Sequence, residues 1–261
     1  MLKLNRRRAL QSGFSLAIGG RYLAACGAAP LGDAGKTRVH VMGMIHSRHR
    51  TSETYSLDVL KTAVLRANPD VILTEIPPSR VEKAVQTFQD TGKVDEPRTN
   101  VFPEYTDVII PLAQTQGWQI LGTAAWTPEL ARNRRKALDA IAKDPLRAQQ
   151  WSEHRAAIRE FGQKTRGRSD DPEFIHTSEF DRLVAASREP YARYFDGDLG
   201  PGGWTQINQA HNALINTALN SVSGQGLRVL ITFGSAHKYK ILESLAERGD
   251  VSIGDTNALF V

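Results

Sequence analysis

Cysteine is almost missing from this chain: among 261 residues only Cys26 carries a thiol. No disulfide can form within it, and no cysteine metal cluster or cysteine nucleophile can sit in the folded part. Acid is missing from one region. Residues 1–25 hold Lys3, Arg6, Arg7, Arg8 and Arg21 and no Asp or Glu. The whole chain has 33 basic and 28 acidic side chains, a formal net charge of +5. Without those five N-terminal cations, 28 of each sign remain, so the surplus belongs to one segment. A broadly basic surface for nucleic acid is thereby excluded, and no nucleic acid is expected as a partner. Long hydrophobic runs are also lacking: FSLAIGG is too short to span a bilayer. There is no low-complexity segment.

The N-terminus has the parts of an export signal. KLNRRRAL is a positive region, FSLAIGG an apolar one, and LAACG ends it with small residues. Leu23-Ala24-Ala25-Cys26 resembles a bacterial lipoprotein box, whose small residues give a signal peptidase access to the bond before the cysteine. The consecutive arginines resemble a twin-arginine signal. The expectation is an exported protein at the periplasmic face of a bacterial membrane, touching it only through a lipid on Cys26. Residues 1–26 are then the signal, 27–36 a small-residue linker, and 37–261 a single domain.

Within that domain strand and helix patterns alternate. Strands are predicted at Arg38 to Met42, Asp70 to Thr74, Trp118 to Leu121, Arg228 to Phe233 and Val251 to Ile253. Helices are predicted at Thr54 to Ala67, Pro78 to Asp90, Tyr105 to Gln116, Trp204 to Val222 and Ala236 to Arg248. From Pro128 to about Arg188 the chain reads as polar helices broken at Pro145 and at Gly162 to Arg168, followed by a loop from Arg188 to Gly203. The fold class is α/β: a mainly parallel sheet flanked by helices, with an all-helical cap inserted at about residues 128–203.

Ligand crevices of open α/β sheets lie beyond the carboxyl ends of the strands. Two strands end in Gly-x-x-His, at Gly43 to His46 and at Gly234 to His237, and a third ends in Glu75. The glycines let the backbone turn tightly and approach a ligand. Two imidazoles and a carboxylate are suitable ligands for a divalent transition metal, with positions left for water and substrate. Arg80, five residues after Glu75, is an alternative partner for that acid as a structural ion pair. Asn212 and Asn216 share one helix face, directed either into the crevice or to solvent. His49, His154 and His176 stand in polar surroundings and are expected to be solvated. Arg132, Arg134, Arg135 and Lys136 read as an exposed helix face. Trp126, Trp151 and Trp204 either line a cleft or pack in the cap.

The stretches GMIHS, NPDVILTEIPPSR and RVLITFGSAHKYKILESLAERG, in that order, resemble the TraB/GumN and Tiki superfamily, with erythromycin esterases and haem-binding ChaN lipoproteins as distant relatives. The resemblance covers Val39 to Arg80 and Asn208 to Gly249. Where the family often carries Arg-Asn, this chain has His211-Asn212. The resemblance implies a divalent-metal hydrolase (Mn, Co or Zn) of ester or amide bonds, acting on a small-molecule or peptide substrate. In it His46 and His237 are metal ligands or ligand plus base. Glu75 is a ligand or the general base, Arg80 orients Glu75 or binds a substrate carboxylate or phosphate, and Asn212 meets the substrate. The alternative it implies is a haem- or iron-binding protein, with histidine, Tyr191 or Tyr194 as axial ligands.

Overall fold

Short runs of β-branched and aliphatic residues, each closed by Gly, Pro or a cap, build the core of this chain. A computed structural model describes residues 35–261; the signal, Cys26 and most of the linker lie outside the described residues. In chain order the elements are β1 (Thr37–Met44), α1 (Leu57–Ala67), β2 (Val71–Thr74), α2 (Pro78–Thr91), α3 (Ile110–Gln116) and β3 (Gln119–Gly122). Then come α4 (Pro128–Lys143), α5 (Ala148–Lys164), α6 (Pro172–Ile175), α7 (Ser178–Leu199), α8 (Trp204–Val222), β4 (Arg228–Gly234), α9 (Lys238–Ala246) and β5 (Val251–Ile253). Local chemistry sets the helix starts. Ser56, Thr127 and Thr177 each accept a hydrogen bond from a first-turn amide of α1, α4 and α7. Pro78, Pro128 and Pro172 occupy first-turn positions, where no amide is needed.

All strands are parallel, in the order β3-β2-β4-β1-β5. Alternate side chains pack on opposite faces. Met42, Met44, Ile72 and Leu230 join α1, α2, α3 and the helical block on one side. Val39, Val41, Leu73, Val229, Ile231 and Phe233 meet α8 and α9 on the other. Leu230 and Ile231 are wholly buried, and each such aliphatic contributes about 1.5–3 kcal/mol of transfer free energy. Burial on both faces is why the strands read as continuous apolar runs. β4 lies between β2 and β1. Met44 is in register with Gly234, and Thr74 with Thr232, so the chain leaves these three strands side by side at one edge.

The helical block of residues 128–203 shares the core with the sheet: Ile141, Phe174, Phe180, Val184, Tyr191, Phe195 and Leu199 belong to the same apolar cluster as Met42 and Leu230. Its end differs from expectation. Arg188 to Gly203 is not a loop, because α7 continues through Pro190 to Leu199. Pro190 forgoes one helical hydrogen bond, but it is buried with Tyr191, Phe195 and Leu199, and that packing outweighs the loss. The helix expected at Tyr105 to Gln116 is also divided. Glu104–Ile109 form a π-helical turn before α3, a local widening that often marks a functional position.

Candidate functional site

His46 is the second residue after β1, following Ile45, and opens a tight turn, His46–Arg50. Its φ is +54°, in the left-handed region that L side chains seldom occupy. The strained backbone aims the imidazole back over the strand ends, against the Phe102 ring at 4.8 Å. Its Nδ1 lies 2.6 Å from Glu104 Oε1, so Nδ1–H donates to that carboxylate. Glu104, completely buried on the π-helical turn, has its other oxygen without a hydrogen-bond partner. Nε2 of His46 faces Glu75 Oε2 at 3.8 Å.

Glu75 follows β2 and is 5% exposed. Its Oε2 accepts a 2.6 Å hydrogen bond from the Gly234 amide, while Oε1 faces His237 Nε2 at 3.9 Å. His237 follows β4. Its Nδ1–H donates to Asn208 Oδ1 at 2.8 Å. The orientation of that amide is fixed, because Asn208 Nδ2 donates to the Trp204 carbonyl at 2.6 Å. The His237 ring stacks on Trp204 at 4.9 Å and stands edge-on to His211 at 5.3 Å. His211 accepts from the Ala125 amide through Nδ1 at 2.9 Å, so its proton sits on Nε2, a buried donor without a partner.

The electrostatics divide the three groups. Burial opposes charge on His46, but the Glu104 hydrogen bond and the charges of Glu104 and Glu75 outweigh it and raise its pKa. Burial raises the Glu75 pKa, against the charge of His46 and the Gly234 amide. Burial, helped by His211, Arg188, His46 and Arg134, drives His237 well below the ordinary value. His237 is therefore neutral, with its Nε2 lone pair directed at a carboxylate oxygen. Two acceptors do not face one another without a proton, water or cation between them.

By donor type the set suits a divalent metal: two imidazole nitrogens, their other ring nitrogens held by Glu104 and Asn208, and the two oxygens of one buried carboxylate. Ligands of a tetrahedral ion at about 2.0–2.1 Å stand roughly 3.4 Å apart, closer than the two N–O separations here. Among the described residues, no three His, Cys, Asp or Glu side chains already converge closely enough to hold an ion.

The structure thus brings His46, Glu75 and His237 together and separates the remaining candidates. Arg80 does not reach Glu75. It pairs with buried Glu96 at 3.3 Å and lines a cavity of about 570 Å³ with Pro77, Arg98, Trp126 and Pro128. His46, Glu75 and His237 do not line that cavity, but its walls approach them. Arg98 lies 5.1 Å from the Phe102 ring, and Trp126 lies 6.4 Å from His211. Asn212 and Asn216 face α9 and not the crevice: Asn212 donates to the Lys240 carbonyl and Asn216 to Ser244. The asparagine at the site is Asn208, one helical turn earlier. Tyr191 accepts from Arg134, and Tyr194 is bonded to Glu153 and Arg193. Trp151 packs against His154 and Phe195 within the cap. Both motif glycines have negative φ, so their use is close approach and not an unusual turn.

His49, His154 and His176, expected in solvent, are not solvated. His49 and His154 are buried. His176 accepts from the Gly43 amide at 2.9 Å and donates to the Pro172 carbonyl at 2.7 Å, tying the cap to β1. Burial lowers its pKa to about 3 despite the Pro172 bond, and burial alone lowers His211 to about 4. A folded pKa below the unfolded value leaves stability untouched above about pH 6.5 and removes about 1.4 kcal/mol per pH unit below it, until the folded pKa is reached. His176→Gln therefore reduces the acid slope of the unfolding free energy by about one proton. Urea titrations across the mildly acidic range measure this, and an unchanged slope would exclude a neutral His176.

Partners missed in the sequence are Glu104 and Asn208, and His211 stands there only in place of the family's arginine, with no role given to it. Each had a signal, a polar residue inside an apolar stripe: Glu104 beside Phe102 and Tyr105, and Asn208 and His211 on the buried α8 face with Ile207 and Ile215. No family model, curated protein or solved structure matches this chain.

Proposed function

We propose that this chain is a TraB/GumN-like hydrolase of ester or amide bonds that works with a divalent metal such as Mn, Co or Zn, exported and lipid-anchored through Cys26 at the periplasmic face of a bacterial membrane. One observation supports the reading above the rest. Two imidazoles, each with Nδ1 committed to a buried acceptor, face opposite oxygens of one buried carboxylate.

His46, His237 and Glu75 would hold the ion, which would supply Lewis acidity to a water and to the scissile carbonyl. The chain's own groups do the rest. Glu104 and Asn208 fix the tautomer and direction of the two rings. Where Glu75 serves as the base and not as a ligand, burial raises its pKa toward the range where a carboxylate takes a proton from water efficiently. Trp204 and Phe102 flank the two imidazoles and reduce the water around them.

Elemental analysis of the full chain, purified without added metal, tests the assignment. Wild type is expected to carry about one Mn, Co or Zn ion, and His46→Ala and His237→Ala to lose it together with turnover of a nitrophenyl ester. Full occupancy in both variants would end the metal assignment. Glu104→Gln should weaken metal retention about 10–100-fold, because His46 then loses its carboxylate support. Equilibrium dialysis reads this directly.

A further inference from the structure

The cap brings positive charge over His237 that nothing in the described chain neutralises. Arg188, on α7, makes no hydrogen bond or ion pair among the described residues, and its Nε is buried without a partner. Its guanidinium lies 4.7 Å from the Trp204 ring, which stacks on His237. Arg134, on α4, turns inward while Arg132, Arg135 and Lys136 stay exposed. Its Nε donates to the Tyr191 hydroxyl at 2.9 Å, and its guanidinium lies 5.9 Å from Trp126. Trp126 in turn approaches His211, which abuts His237. Contacts therefore run from His237 through Trp204 to Arg188, and through His211 and Trp126 to Arg134.

The neighbouring acids are spent elsewhere. Asp196 accepts from the Trp204 and Thr205 amides, and Glu189 pairs with Arg193. Burial, with a contribution from repulsion by Arg134, lowers the Arg188 pKa. Two half-buried guanidiniums without counter-charge cost stability. Such an arrangement belongs to a site whose opposite charge arrives with a ligand. Planar guanidinium forks match carboxylates and phosphates, and the indoles of Trp126 and Trp204 offer apolar walls beside them.

We propose that Arg134 and Arg188 form a subsite for an oxyanion of the substrate, a carboxylate or a phosphate, which places the bond to be cleaved toward Glu75 and the two imidazoles. Its role in substrate positioning rests on the hydrolase reading; its capacity to bind an anion does not.

Calorimetric titration of the full chain with phenyl phosphate, benzoate and the neutral benzyl alcohol tests it. Wild type should bind one or both anions, and the preference between them identifies the oxyanion. Arg134→Gln and Arg188→Gln should each weaken anion binding about tenfold or more, leaving benzyl alcohol unaffected. Without ligand, Arg188→Gln should melt higher than wild type, since a buried positive charge and its repulsion from Arg134 are removed. A structural arginine would give the reverse. If Arg188→Gln does not fold, that counts against the subsite, and Arg134→Gln still reads the binding. His46→Ala should bind the anions normally while losing turnover, which separates failure of the hydrolase reading from failure of the subsite. Equal anion affinity in wild type and the arginine variants, or no binding of either anion by wild type, overturns the subsite whatever the metal analysis gives.

Discussion

Replacing Glu75 with glutamine should lower ester turnover by about 10²–10⁴-fold, the range for loss of a positioned base, and leave the fold at least as stable as before. The two halves of that result come from one environment. Glu75 is 5% exposed and its carboxylate touches one amide, that of Gly234. Glutamine keeps an oxygen for that amide, and its NH₂ can donate to the free lone pair of His237. What disappears is the negative charge. The folded pKa of Glu75 stands above the unfolded one, chiefly through burial. Below the unfolded value the carboxyl is neutral in both states and the substitution changes little. As pH rises through the folded pKa, ionisation costs wild type stability that the variant keeps. Thermal melts should therefore converge in acid and diverge in favour of Glu75→Gln at neutral pH. A carboxylate kept for structure would behave oppositely, and a variant that both melts lower and retains turnover would remove Glu75 from the chemistry.

The second large effect concerns a residue with no side chain. A Cβ at Gly234 would stand 2.6 Å from His46 Nε2 and 3.2 Å from Glu75 Oε2. His46 cannot step aside, because Glu104 holds its other nitrogen at 2.6 Å and its own backbone is already strained. Gly234→Ala should therefore abolish metal retention and turnover as completely as His46→Ala, with about 1–3 kcal/mol of destabilisation from overpacking. Gly43→Ala is the control. Its Cβ would meet Ile175 and Ser235 at 3.1 Å, a tight contact with packing atoms and with no functional group. That variant should lose stability and keep the metal. Comparable metal loss in both would mean that the glycines serve packing alone.

The two Gly-x-x-His segments were legible because strand ends in a parallel sheet share an edge, and hydrophobic runs reveal where strands end. His46, Glu75 and His237 could be placed at that edge from VHVMG, VILTE and VLITFG alone. What was not legible is which side chains support them. Glu104 lies 58 positions from His46, and Asn208 29 positions from His237. No local period links such pairs; only the packed fold does. The α8 asparagines show how the reading failed. Asn212 and Asn216 share a face, but the buried face of α8 is set by Ile207, His211, Ile215 and Leu219, and Asn208 lies on it. The loop expected after Arg188 failed differently. Pro190 and the glycines nearby are local stop signals, and the apolar residues of α7 overrode them by burying against the sheet. That override carries Arg188 over the Trp204 ring and Tyr191 to the Arg134 side chain.

The sheet order has a further result for how the molecule comes into being. β1 finds its central neighbour in β4, Arg38 pairing with Arg228 and Met44 with Gly234. The middle of the sheet is thus sewn from opposite extremities of the polypeptide, a topology that folds slowly because distant segments must meet first. A chain halted anywhere before residue 228 leaves β1 and β2 without the strand that joins them and has only one of the two imidazoles. Any chemistry that needs both imidazoles is thereby withheld from such a copy until the last 34 residues, 228–261, supply β4 to the gap between β1 and β2.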